Sequence, residues 1–416
     1  MKRSLFLAAV LISALLLPGA ALAAGSADQA TPPNLALDRT IEPVIVAGIF
    51  AGKPVDELFV YRWTGSSWEQ IPFQIDERNS AGDYVANEDG VMDSNDEVVF
   101  MSGDTGMLAS DSIGSALPVS GLWYRVEVTN PLNTSSKGWV YVVHSTSLSI
   151  TNPTDYVSYN NANLRVSTAN YALGWAASGH NGLDYMSMYG GGDIMDRTKL
   201  RIDYRVVVLQ FHLTENDIPF ENVVLIKDGA VRTLVKRGGT VTTSYQSYTS
   251  TNFPVDLSSL PGNLERFRTS TDLAQGVSGT YYDENNNAGK PIDGVPDNVT
   301  QTPFTQAWRQ VTVGAGSNIQ VAKLTELGGV QKHYYKDNSA VDPQDTGDQR
   351  SFGDSGFEVT DPTSRNFTIT TGQYFIPAAQ GNQGALYNEY FLNPLHVSTT
   401  VETQFHSFLP VLEKQN

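Results

Sequence analysis

The 416 residues include no cysteine. Disulfides, thiolate metal sites, a thiol nucleophile and a lipid anchor on cysteine are excluded together. Positive charge is scarce as well. Lys and Arg number 27 against 44 Asp and Glu, a formal net charge of −17. A surface this acidic repels phosphate backbones and anionic lipid, so nucleic acid is not an expected partner. No apolar run is long enough for a comfortable membrane span. Heptads, fixed-period repeats and long amphipathic helices are missing too. So are the G-x-S-x-G elbow, the P-loop, the dinucleotide fingerprint and H-E-x-x-H.

What is present begins with a leader pattern. Lys2 and Arg3 precede an apolar stretch at 5–17, and Ala21, Leu22 and Ala23 read as a cleavage site, giving a signal peptide over 1–23. Losing Lys2 and Arg3 with it makes the mature chain two units more negative, −19. An exported chain without disulfides suits a bacterial envelope or extracellular protein, secreted or held at the cell surface, better than a eukaryotic secretory route. Residues 24–40 read as a flexible tether with Pro32 and Pro33, and 403–416 as a C-terminal tail.

Between these ends the pattern is all-β: two antiparallel β-sandwich regions with long loops and little helix. A smaller domain is expected over 41–149 and a larger one over 150–402. Aromatic and β-branched runs at 58–63 and 68–75 flank the turn 64–67, a hairpin signature. Residues 156–192 read as loops over a sheet or at a rim. The longest strand signal runs over 200–213, and a second hairpin turns at Asp228 and Gly229. A short helix is expected at 263–269 and another at 385–392. Further strands fall at 308–313, 319–324, 367–370 and 397–401.

The densest chemistry is an acidic loop between apolar strands. Asp83, Asn87, Asp89, Gly90, Asp93, Asp96 and Glu97 crowd into fifteen residues. Oxygen ligands at alternate positions followed by a glycine turn suit a hard cation, so calcium with a structural role is the expected cofactor. The ligand candidates are Asp83, Asn87, Asp89, Asp93, Asp96 and Glu97. Val85 falls where a first ligand is expected, and Asp76 or Asp83 would replace it. A second, weaker candidate is Asp283, Asn285, Asn287, Asp293 and Asp297, which read equally well as an Asx-turn loop.

The six histidines show no metal-binding spacing. His212, His333, Tyr334 and Arg205 are the catalytic candidates, provided that they converge. Arg201, Asp203, Arg205, Arg232, Lys236 and Arg237 would either form one charged sheet face for an anionic sugar or act as solvated edges and ion pairs. Trp123, Trp175, Tyr185 and Tyr189 are the ligand-binding candidates, because aromatic faces stack on sugar rings. Trp123 is either exposed for binding or buried under a second layer.

The acidic loop resembles EF-hand-like, dockerin-like and thrombospondin-type calcium loops over about fifteen residues. The run 71–76 leading into it is similar to a pattern in exported bacterial proteins of no assigned activity, as is the stretch from 182–186 through 193–197 to 227–232. The long strands resemble, more faintly, the supersandwich of galactose-mutarotase-like domains, whose catalytic His and Glu have no counterpart placed here. Residues 408–412 are similar to Leu-Pro endings of some bacterial surface proteins. The leading expectation is a calcium-stabilised protein binding carbohydrate or another envelope polymer. A polysaccharide-acting lyase, hydrolase or epimerase is the second, and a surface-layer or filament component the third.

Overall fold

The computed structural model describes residues 37–109 and 121–404. The signal peptide, most of the tether and the last twelve residues, including 408–412, lie outside them. The chain is all-β among these residues, with every strand pairing antiparallel and a single α-helix, Gly384–Leu392.

The first sandwich packs a three-stranded sheet (Pro43–Ala47, Glu97–Met101, Gln74–Asp76) on a five-stranded one. The order in the latter is His396–Gln404, Gly121–Asn130, Asn133–His144, Leu58–Trp63, Trp68–Gln70. Alternation fixes its core: Val44, Val46, Val98 and Phe100 face Val60, Val126, Val128, Val140 and Val142. One outer strand comes from the far end of the chain. His396–Gln404 pairs with Gly121–Asn130 over nine residues, Val397 opposite Val128 and Val401 opposite Tyr124. The strand expected at 397–401 is therefore present, but it belongs to the first sandwich and not to a domain ending at 402. The presumed tether also ends in structure. Arg39 is buried and donates to Glu42 at 2.6 Å and to the Asn393 carbonyl at 2.7 Å.

The larger sandwich packs a second five-stranded sheet (Leu209–Thr214, Met195–Val206, Asn263–Leu273, Ser351–Thr360, Val330–Asn338) against a nine-stranded one. The latter runs Val223–Asp228, Thr233–Arg237, Thr240–Ser244, Tyr248–Asp256, Asn366–Pro377, Gly316–Lys323, Trp308–Val313, Gly279–Asp283, Lys290–Ile292. Ile202, Phe267, Phe357 and Val359 meet Val255, Phe367 and Ile369 between the two.

Three local expectations are corrected. Residues 200–213 are two strands, turning at Val207 and Val208. Val207 takes φ 55°, a conformation β-branched residues rarely adopt, so no glycine or asparagine marked the turn. Residues 263–269 are strand, because Leu264 and Phe267 are needed by the inter-sheet core. Residues 156–192 hold a four-stranded sheet, Leu183–Met188, Tyr171–Trp175, Arg165–Ser167 and Ser158–Asn160.

Candidate binding cleft between the sheets

The acidic loop disposes of its charge without gathering it. Asp96 is buried and accepts the backbone N–H groups of Arg78 at 2.8 Å and Asp93 at 2.5 Å. Glu97 pairs with Arg78 and with Arg232, the latter at 2.6 Å. Arg232 also holds Asp76 at 2.5 Å, and Lys227 pairs with Glu88. Asp83, Asn87, Asp89 and Asp93 are exposed. Among the described residues, no three carboxylates of this loop bring oxygens within 4.8 Å of one another. The six expected calcium ligands are thus dispersed, because arginines and amides satisfy the buried ones. Burial pushes the neighbouring Tyr84 hydroxyl up to about 12.

The second acidic segment is an Asx turn. Asp283 is buried and accepts from the N–H groups of Asn285 at 2.7 Å and Asn286 at 2.8 Å, and from the Tyr281 hydroxyl at 2.6 Å. Asn287 and Asp293 are exposed, while burial and the nearby Asp337 raise Asp297.

The catalytic candidates do not converge. His212 is exposed and bonded to Asp203 at 2.7 Å on the edge strand, and Arg205 pairs with Glu265. His333 and Tyr334 lie on the opposite edge of that sheet. His333 is buried, with its ring centroid 4.5 Å from that of Phe304, and burial lowers its pKa. Tyr334 faces the other way, under the Arg268 guanidinium at 3.8 Å. The charged-face reading separates likewise. Arg232 turns to the first sandwich, whereas Arg237 donates to the carbonyls of Ala176 at 2.6 Å and Glu221 at 2.9 Å.

Of the aromatic candidates, Trp123 is buried against Tyr141, Tyr185 is half-buried under Arg165, and the Tyr189 hydroxyl donates to the Phe375 carbonyl at 3.0 Å. Trp175 lines a cavity.

That cavity holds about 350 Å³ and opens between the sheets of the larger sandwich. Leu173, Trp175, Leu183 and Met186 form one wall, from the four-stranded sheet. Thr198 and Thr271 come from the five-stranded sheet; Thr242, Thr251, Thr371, Gln320 and Gln373 come from the nine-stranded one. Asn181, Glu221 and Arg237 also line it.

The polar lining forms a belt across neighbouring strands. Thr242 lies opposite Thr251, with their hydroxyls 3.1 Å apart, Thr251 opposite Thr371, and Gln373 opposite Gln320. Asn318 donates to Gln373 at 3.2 Å and Arg309 to Gln320 at 2.9 Å. Arg309 is buried, which lowers it to about 10. On the same strands, but outside the cavity lining, several buried atoms find no protein partner: the Ser244 and Thr249 hydroxyls, Arg309 Nη2 and Asn318 Oδ1. Buried polar atoms without partners are costly and call for water or ligand. At the rim, Glu215 accepts from the Leu200 N–H at 2.9 Å and from Arg201 at 2.7 Å. Burial alone would raise its carboxyl, but bonds from Thr346, Leu200 and Arg201 hold it below the usual range, which does not suit a proton donor. The Ser/Thr wealth after Gly238 was the one sequence trace of this belt. Threonine is also an ordinary strand former, so the trace was not specific.

No family model and no curated protein matches the chain. Two solved structures are similar to it: an alpha-mannosidase from Enterococcus faecalis V583 and a protein in the glycosyl hydrolase family 38 from Enterococcus faecalis. Each is 9% identical with a TM-score of 0.45. They cover 88% and 90% of this chain, which spans about half of theirs, 45% and 47%. At that similarity no chemistry transfers from them.

Proposed function

We propose that the protein is an exported bacterial binding protein that seats one sugar unit of a carbohydrate or envelope polymer in the inter-sheet cleft. The belt of hydroxyl and amide side chains carries this reading. Opposed residues on paired strands stand about 4.5–5.5 Å apart, a spacing that matches donors and acceptors arrayed around a single ring. Trp175 supplies an apolar wall for the ring's C–H face. The volume lies at the lower end of small-molecule pockets, which favours one unit over a long segment. Binding is preferred to catalysis, because the histidine candidates lie elsewhere and the Glu215 carboxylate is occupied by bonds from Leu200 and Arg201. The leader pattern supports export, and the lack of cysteine supports a bacterial over a eukaryotic route. Mature protein on an array of saccharides, with and without chelator, is expected to bind at least one class. Gln373→Leu is expected to weaken that binding at least tenfold. If no saccharide binds in either condition, the proposal fails.

A further inference from the structure

The outer face of the five-stranded sheet, turned away from the cleft, carries a second concentration of charge. Arg197, Lys199 and Arg201 alternate outward on one strand, with Arg268, Ser270 and Asp272 on the next. Lys199 and Asp272 are wholly buried and 2.7 Å apart. The loop from 339 to 350 lies over them. From it Asp345 accepts from Lys199 at 2.8 Å and Arg201 at 2.6 Å, and Arg350 adds its carbonyl to Lys199 at 3.0 Å. Asp345 and the Arg350 carbonyl are the hydrogen-bond acceptors of Lys199, whereas Asp272 Oδ2, though 2.7 Å away, has no hydrogen-bond partner.

Beside this lysine, Asp196, Asp272 and Asp348 bring one oxygen each within 4.8 Å of one another, a convergence no other acidic group shows among the described residues. Gly347 holds the loop down on Asp196, since a Cβ there would lie 1.9 Å from the carboxylate. A second observation is independent of this cluster. Asp354 is 1% exposed, and neither of its carboxylate oxygens has a hydrogen-bond partner. A bulge pairs Thr271 with Ser355 and Leu273 with Phe352, which sets Asp354 beside Asp272 on the same face. The Ser270 hydroxyl, opposite Lys199, is buried and unpartnered too. A buried carboxylate without a partner is among the costliest groups to leave in a fold.

We propose that Asp196, Asp272 and Asp348 hold one hard divalent cation, calcium by preference, with the buried Asp354 carboxylate next to them. The donors are all oxygen, which excludes the softer metals. Calcium tolerates an irregular set of six to eight oxygens, whereas magnesium demands near-ideal octahedral geometry and usually keeps several waters. The ion would clamp the 339–350 loop onto the sheet behind the cleft.

Calorimetry with calcium chloride and terbium luminescence on the mature chain test this. One equivalent of calcium is expected, with a melting point several degrees higher in calcium than in chelator. Asp348→Asn and Asp196→Asn are each expected to weaken binding at least tenfold. A variant carrying both Asp89→Asn and Asp93→Asn in the acidic loop is expected to bind as wild type. Tyr334→Phe, which removes no ligand, is expected to dim the terbium signal excited through tyrosine. The proposal is overturned if the chain takes up neither ion. It is equally overturned if uptake survives both single variants, disappears in the acidic-loop variant, or leaves Tyr334 without effect on the signal.

Discussion

Arg232 donates to Asp76 and Glu97 while its guanidinium carbon stands 4.8 Å from the centroid of the Tyr84 ring. All three charged groups are buried. Removing the cation takes the close ion-pair partner from buried Asp76 and one of two arginines from Glu97, so Arg232→Met is expected to cost about 3–5 kcal/mol in urea unfolding. His180 supplies a pH test. Burial, with Arg197 and Arg237 nearby, lowers it to about 4 despite Glu215. Its folded value lies below the unfolded one, so the stability it contributes is complete above about 6.5. That stability is lost as pH falls toward 4, because the unfolded chain takes up a proton that the folded one refuses. His180→Gln is expected to flatten stability against pH in that window. At this scale the acidic residues were legible and their partners were not. Arg232 follows Glu97 by 135 residues, and nothing local to 83–97 announces it.

Secondary structure was read best where alternation and packing agree. The strand Trp308–Val313 and the helix Gly384–Leu392 stand where the pattern put them. Reading failed where a tertiary demand overrode a local cue, as at 263–273. It failed again where a turn was made by a residue that does not advertise turns, Val207. The closing strand His396–Gln404 was legible as a strand, but its partner was not, since pairing across the chain leaves no periodic trace. It gives the element-scale prediction. Ending the chain after Asn393 exposes the edge of Gly121–Asn130, with Val126 and Val128 behind it. An unprotected edge invites pairing between molecules. The truncated protein is expected to melt lower and to form soluble oligomers on size exclusion, where the full chain does not.

For the molecule as a whole, composition and strand spacing sufficed for two sandwiches, because hydrophobic alternation is written locally. The cleft was not legible. Its belt joins Thr198, Thr242, Thr251, Gln320 and Thr371, residues from five strands that only the sheet order brings side by side. The described residues nonetheless belong to one compact unit, joined at Arg232 and by the return of the last strand. That return bears on how the protein is made. Synthesis delivers a polypeptide from its amino end, so the leading sandwich stays one strand short until residues 396–404 are made, after the strands of its neighbour.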